Sequence, residues 1–253
     1  MTGDVSQNEK ETALSQSVLP VGNNWGLPGF LTALQLGDST LPVGSFSFSN
    51  GLETAVQLGI VHNAETLGEF IKTAVEQAAT GDGIALLESH RGTLAGNLDR
   101  ISLADHASYN RKMNEEIRTM STRMGKKLAE MALHISPEQP VLQEWLRQVK
   151  SGALAGTYAV AQGVVFAGMQ LPEEVAFAVQ QYGVASMMIG AALRIVKMNY
   201  LDGQKILIQV NQLAAVAYQR VKERTIDDMA NYAPMMDIFA GIHVKSKVRM
   251  FMN

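Results

Sequence analysis

The sequence predicts an all-α protein, a single-domain bundle of about ten helices with a flexible N-terminal leader. Its 253 residues suit one domain, and 47% of them are hydrophobic, enough to bury a substantial core. Apolar residues recur at spacings of three and four along most of the chain. No convincing run of alternating β-branched residues lies between hairpin turns, so helices joined by short connections are expected.

Residues 1–29 are expected to form the leader, and residues 30–253 the helical domain. The leader begins with twelve polar residues unlike a secretory signal and ends in the turn-rich run GNNWGLPG (22–29). No stretch reaches the roughly 18 uncharged apolar residues of a membrane span. The chain has no cysteine and a net charge of -3. These features predict a cytoplasmic protein with neither a membrane nor a nucleic acid as partner.

The first part of the domain is predicted as short helices separated by turn residues. An apolar helix over residues 30–36 precedes the glycine-rich loop DSTLPVGSFSFSNGLETA (38–55). Asn63 is the predicted N-cap of the next helix, because apolar residues at helical spacing follow it. Those residues are Leu67, Phe70, Ile71, Ala74, Val75 and Ala78. Gly81 and Gly83 separate this helix from the next one, over residues 84–94.

One long, charged helix is predicted over residues 105–133, because apolar and charged residues occupy opposite faces. Its apolar stripe is Met113, Ile117, Met120, Met124, Leu128 and Met131. Pro137 and Pro140 end it. Further helices are predicted over residues 141–150, 154–167, 173–198, 204–224 and 235–242.

Sequence motifs for nucleotide, metal or cofactor binding are missing. The Gly125-Lys126 pair is followed by Lys127 within a helical pattern, so it is not a P-loop. The five histidines are scattered, without an HExxH or an i, i+4 pair, so no metal site and no cofactor are predicted.

Glu53, at the start of a short helix, is the acid with the clearest candidate role. It could cap that helix, hold the glycine loop in shape or meet a cation of a partner.

Two further segments carry apolar residues where loops and chain ends usually do not. Phe46 and Phe48 lie among small polar residues, so they need a core, a ligand or a partner to pack against. The end of the chain, HVKSKVRMFMN (243–253), places Lys245, Lys247 and Arg249 two residues apart. If this tail is extended, one face is basic and the other apolar. A solvated tail and a tail docked on a partner or on the protein itself both stay open.

Four segments, in order, resemble the UreF family of urease accessory proteins. They are LQLGDSTLPVGSFSFSNGLETAV (34–56), NEEIRTMSTRMGKKL (114–128), DGQKIL (202–207) and DIFAGIHVKSKVRMFMN (237–253). The resemblance spans residues 31–253. The chain departs from the family pattern at Phe48, at VKMN (196–199) before DGQ, and at Val244 after the C-terminal histidine.

The resemblance implies an all-α homodimer without enzymatic activity of its own. Such a protein bridges a UreD-type protein (also called UreH) and a UreG-type GTPase, which it promotes or gates while nickel is delivered to apo-urease. By position, the partner-binding residues would be Ser45, Phe46, Ser47, Phe48, Glu53, His243, Lys245, Lys247, Arg249 and Phe251. Two alternatives are a helical scaffold of an unrelated complex and an all-α enzyme that uses Glu53.

Overall fold

The structure, a computed structural model, describes residues 25–45, 48–231, 233–243 and 249–251. These residues contain α-helices and short 3-10 turns but no strand, which confirms the all-α prediction. The helices are α1 (Gly26–Gly37), α2 (Leu52–Gln57), α3 (Ala64–Thr80), α4 (Asp82–Leu94), α5 (Leu98–Arg111), α6 (Glu115–Ile135), α7 (Pro140–Ser151), α8 (Tyr158–Gly168), α9 (Glu173–Ile195), α10 (Tyr200–Val221) and α11 (Pro234–His243). Most of the predicted leader, residues 1–24, lies outside the described residues.

Asparagine side chains begin four of the helices. Asn63 caps α3 as predicted, and its side chain accepts a hydrogen bond of 2.9 Å from the backbone N–H of Thr66. Asn97, Asn114 and Asn199 do the same for α5, α6 and α10. Each cap satisfies backbone donors that the first helical turn leaves unpaired, which places these helix starts.

The prediction of a single helix over residues 105–133 is wrong, because the helical backbone is interrupted between α5 and α6. Asn114 accepts hydrogen bonds from the backbone N–H groups of Glu116 (2.7 Å) and Ile117 (3.3 Å), which starts a new helix. Lys112 turns inward to Asp82, with an Nζ–Oδ1 distance of 2.6 Å. Met113 therefore leaves the apolar stripe and is 70% exposed. The cap and the ion pair together outweigh the continuous helical pattern.

Other helix bounds differ by a few residues from the expected ones. Helix α1 begins at Gly26, so residues 26–29 belong to it and not to the leader. Pro28 is tolerated there because the first turn has no intrahelical partner for its missing N–H. Helix α8 starts at Tyr158, four residues after the predicted start, and α10 starts at Tyr200, four residues before it. Ala78 in α3 is half-buried, whereas the other apolar residues predicted for that helix are buried.

Two apolar cores hold the helices together. In the first, α8 is buried along most of its length and packs between α4 and α6. The second is formed by α2, α3, α9, α10 and α11, together with Phe251 from the end of the chain. Burial of these apolar surfaces is the main stabilising contribution to the fold, because it removes them from water.

Helix α9 has the length and apolar composition of a membrane span, alone among the described helices. However, 50% of its most apolar window is buried inside the molecule, where it contacts α3 and α10. It is the central helix of the second core, and the chain has the organisation of a soluble helical domain.

A buried aspartate fixes the turn before α8. Asp105 accepts hydrogen bonds from the backbone N–H groups of Gly156 (2.8 Å) and Thr157 (2.7 Å), and from the Thr157 hydroxyl at 2.7 Å. Gly125 of α6 lies directly against this turn, where a Cβ would meet the Gly156 carbonyl oxygen at 2.2 Å. Only glycine permits so close an approach of α6, so the position has a packing requirement.

A candidate interaction site at the C-terminal end

The site begins with Gly51, whose backbone allows α11 to approach α2. Gly51 has a φ of +80°, and a Cβ there would lie 3.1 Å from the Met236 carbonyl oxygen and 3.2 Å from the Phe239 Cβ. Both the left-handed backbone and the crowding favour glycine. Glu53 follows in the first turn of α2 and faces the last residues of α11.

Glu53 anchors the end of the chain. Its carboxylate accepts hydrogen bonds from His243 Nε2 at 2.9 Å, from the Met250 N–H at 2.8 Å and from the Phe251 N–H at 3.0 Å. The residue is only 6% exposed. The Glu53 N–H donates to the Ser49 hydroxyl at 3.4 Å. Helix α2 has Gly51 as its N-cap and no side-chain cap hydrogen bond. It joins α2 to residues about 190 positions away in sequence.

The surroundings keep Glu53 ionised. Burial raises the pKa of Glu53, but hydrogen bonds from the Met250 N–H, from His243 and from the Phe251 N–H outweigh it. The pKa of Glu53 therefore lies below its ordinary value. An ionised carboxylate only accepts hydrogen bonds, so the hydrogen between it and His243 lies on Nε2.

A second carboxylate, Glu116 of α6, continues the cluster towards the surface. Its Oε1 lies 2.8 Å from Arg249 Nη1, and its Oε2 lies 3.9 Å from His243 Nδ1. His243 is fully buried, whereas the Arg249 side chain is 36% exposed. The cluster Glu53, His243, Glu116 and Arg249 thus runs from the interior to solvent, and Arg249 is its outer end.

Phe251 secures the same segment by apolar packing. Its side chain is buried in the second core, and the Arg194 guanidinium carbon lies 5.3 Å from the centre of its ring. An arginine over an aromatic face is attracted by the ring quadrupole. In the described residues, therefore, the C-terminal end docks on the protein itself.

The remaining predicted site residues separate into two groups. Phe48 is buried, and its N–H donates to the Ser45 carbonyl oxygen at 3.2 Å, while Ser45 is half-buried. In this arrangement the Phe48 ring packs inside the protein and offers little surface to a partner. The other predicted residues, Phe46, Ser47, Lys245 and Lys247, lie outside the described residues.

Sequence reasoning missed Glu116 and Arg194 as members of the site. Glu116 lies in the motif NEEIRTMSTRMGKKL, where the pattern places it on the charged outer face of a helix. A signal was present, since the N-cap Asn114 puts Glu116 in the first turn of α6. Arg194, in the last turn of α9, has no comparable sequence signal because its contact with Phe251 is tertiary.

Among the residues that the structure describes, no group of three or more histidine, aspartate or glutamate side chains is arranged to hold a metal ion. The fold and the site thus define an all-α protein in which a buried polar cluster anchors its own chain end. A family model described as UreF matches residues 61–211. The chain belongs to the UreF family of urease accessory proteins.

Similar proteins cover nearly the whole chain. The urease accessory protein UreF 2 of Brucella canis is 48% identical over 227 residues, which are 90% of this chain and 93% of that protein. The urease accessory protein UreF of Yersinia pseudotuberculosis is 45% identical over 220 residues, covering 87% of this chain and 96% of that protein. The family-model match begins after Glu53 and ends before α11, so Glu116 is the one residue of the four-residue cluster that it includes.

Stability in acid is expected to depend on Glu53. The pKa of Glu53 in the folded state lies below the ordinary value of 4.5. The ionised carboxylate therefore stabilises the fold fully at a pH above 4.5, and this stabilisation is lost as the pH falls through the folded-state pKa. The free energy of unfolding should therefore fall more steeply from about pH 5 to pH 3 in the natural chain than in Glu53→Gln. Urea titrations of both proteins across this range measure the free energy of unfolding at each pH. If it falls equally steeply in the natural chain and in Glu53→Gln, Glu53 is not a source of the acid dependence.

Proposed function

We propose that this protein is the scaffold of a cytoplasmic nickel-insertion complex and has no catalytic activity of its own. It bridges a UreD-type (UreH-type) protein and a UreG-type GTPase, modulates the GTPase, and acts as a homodimer on apo-urease. Membership of the UreF family and the names of the relatives, urease accessory proteins, support this role.

The observation that carries the proposed binding site is the anchored chain end with an exposed arginine. Glu53 holds Met250 and Phe251 by their backbone, which fixes the adjacent Arg249 at the surface. A guanidinium offers five donors in a rigid plane, well suited to a carboxylate or phosphate of a partner. In the free chain one of these donors, at Arg249 Nη1, is hydrogen-bonded to Glu116 Oε1. A carboxylate or phosphate of the partner would replace Glu116 or bind the other donors of the guanidinium.

Arg249→Ala is expected to weaken binding of the GTPase about tenfold or more, because it removes the exposed cation of the site. Retention of the UreD-type protein and the thermal midpoint should change little, since the Arg249–Glu116 pair is partly solvent-exposed. Gel filtration and titration of purified UreD-type protein and UreG-type GTPase from the same organism measure both interactions.

Arg123→Ala is the matched control, since Arg123 is an exposed arginine on the same helix as Glu116. It should bind the GTPase like the natural chain. If the natural chain, Arg249→Ala and Arg123→Ala bind the GTPase equally well, Arg249 is not part of the interface. Failure of the natural chain to retain either protein at micromolar concentration would refute the scaffold role itself.

A further inference from the structure

His243, the buried histidine at the end of α11, has a carboxylate on each side of its ring. Its Nε2 lies 2.9 Å from Glu53 Oε2 of α2, and its Nδ1 lies 3.9 Å from Glu116 Oε2 of α6. The first distance is that of a hydrogen bond, whereas the second is too long for one. His243 Nδ1 and Glu116 Oε2 are both buried, and neither forms a hydrogen bond to any described residue. Two unpaired polar atoms therefore lie opposite each other.

The position of the hydrogen on the ring explains this gap. Because ionised Glu53 accepts the hydrogen of Nε2, a neutral His243 ring has only a lone pair at Nδ1. A lone pair and a carboxylate oxygen are both acceptors, so they form no hydrogen bond with each other. A proton on Nδ1 would make it a donor and would give both unpaired atoms a partner. Since an unpaired buried acceptor costs free energy, the pairing favours the protonated ring.

The charges around His243 favour the same proton. Glu53 and Glu116 are both negative, and with a neutral ring Arg249 is the one positive charge in the four-residue cluster. A protonated ring would bring the charge of the cluster to zero. It would lie within 4 Å of both carboxylates, which favours its charged form, although burial of the ring reduces this gain.

Other charged side chains near α11 interact with different groups. Asp237, earlier on α11, has Lys112 and Asp82 as its charged neighbours. Arg194 of α9 lies over the ring of Phe251. Among the described residues, the charges that bear on the histidine ring are therefore those of the other three members of the cluster.

We propose that His243 is a proton-operated switch that sets how firmly Glu116 holds Arg249. With a neutral ring, Arg249 is the one donor to the Glu116 side chain among the described residues. Once Nδ1 is protonated, it donates to Glu116 Oε2, while Oε1 still faces Arg249. The carboxylate then shares its charge between two cations, so the Arg249 guanidinium is easier to withdraw.

The switch makes binding at Arg249 depend on pH, and this step rests on the proposed function. An anionic group of the GTPase that takes Arg249 leaves Glu116 without its cation, and a proton on His243 replaces that cation. Binding should therefore be accompanied by proton uptake, and the GTPase should bind more tightly at pH 6 than at pH 8.

NMR titration of the histidine ring nitrogens in the free, full-length natural chain tests the switch without any partner or variant. His243 Nδ1 should gain its proton between pH 8 and pH 5, the range in which histidine changes charge. Nε2 should stay protonated throughout, because it donates to Glu53. A ring that stays neutral down to pH 5, or that is already charged at pH 8, would overturn the proposal.

Arg249→Ala and Glu116→Gln should move the midpoint of this titration in opposite directions. Loss of the Arg249 cation should raise the proton affinity of His243 about threefold or more, because the ring then has Glu116 to itself. Loss of the Glu116 charge should lower it about tenfold, because the acceptor of the new hydrogen bond is no longer negative.

Arg123→Ala and Glu115→Gln are the matched controls, since they remove the same charges from exposed positions of the same helix, α6. Both should titrate like the natural chain. Equal midpoints in all five proteins, or shifts of the same sign in Arg249→Ala and Glu116→Gln, would also overturn the switch. If His243 titrates as expected but the natural chain does not bind the GTPase at any pH, only the proposed function is refuted.

Discussion

Glu53→Gln is expected to release the C-terminal residues and to lower the free energy of unfolding by about 2 to 4 kcal/mol. Glutamine matches the shape of glutamate, but one of its two terminal groups is a donor. Glu53 faces three donors, from His243, Met250 and Phe251, so the amide must turn an N–H towards at least one of them. The charge that strengthens all three hydrogen bonds is lost as well.

Release of the chain end should be visible before global unfolding. Hydrogen exchange at the Met250 and Phe251 amides is expected to become faster by at least tenfold, because their acceptor is lost. Phe251 should leave the second core, and GTPase binding should fall, since Arg249 is then no longer held at the surface. Mass-spectrometric exchange and urea unfolding measure the two effects.

Glu138→Gln is the matched control for Glu53→Gln. It removes the same charge from an exposed position in the connection between α6 and α7, where a substitution usually changes stability by less than about 0.5 kcal/mol. If both variants retain the stability and the exchange rates of the natural chain, Glu53 does not anchor the tail.

Gly125→Ala is expected to lower the free energy of unfolding by about 3 kcal/mol or more. The added methyl group would lie 2.2 Å from the Gly156 carbonyl oxygen and 2.8 Å from the Thr157 backbone. These backbone atoms are held by buried Asp105, so the turn cannot move away without breaking its hydrogen bonds. Thermal or urea unfolding of the purified variant measures the loss.

Gly190→Ala provides the opposite case within another helix. A Cβ at Gly190 in α9 meets no heavy atom of the described residues within 4 Å. Alanine there should stabilise the protein by about 0.4 to 1 kcal/mol, through its higher helix propensity and the restricted unfolded chain. If Gly125→Ala and Gly190→Ala both leave the free energy of unfolding unchanged, the contact between α6 and the turn before α8 is not tight.

The ends of the helices were predictable where the sequence contains a capping or helix-ending residue. Asn63 begins α3 because its side chain pairs with the following turn, and Gly81 ends it. The break between α5 and α6 was missed, although Asn114 is a favourable cap, because the apolar spacing continues across it. The inward turn of Lys112 to Asp82, 30 residues away, decides against a continuous helix, and no local pattern records that contact.

The candidate site was predictable in part for the same reason. The motifs in the loop and at the chain end selected Glu53, His243, Arg249 and Phe251, and the structure brings these four together. Their mutual contacts could not be read from the sequence, since they join segments about 190 residues apart. The position of Glu116 between His243 and Arg249 follows only from the tertiary placement of the first turn of α6 near the end of α11.

By itself, the sequence determined the helical class of the protein, most helix starts and its resemblance to UreF proteins. These properties depend on spacing, caps and motifs, which are local along the chain. Only the tertiary structure decided that the chain end docks on Glu53 and that Phe48 packs inward. Such contacts form when distant segments bury surface together, and the free energy of that burial depends on three-dimensional packing.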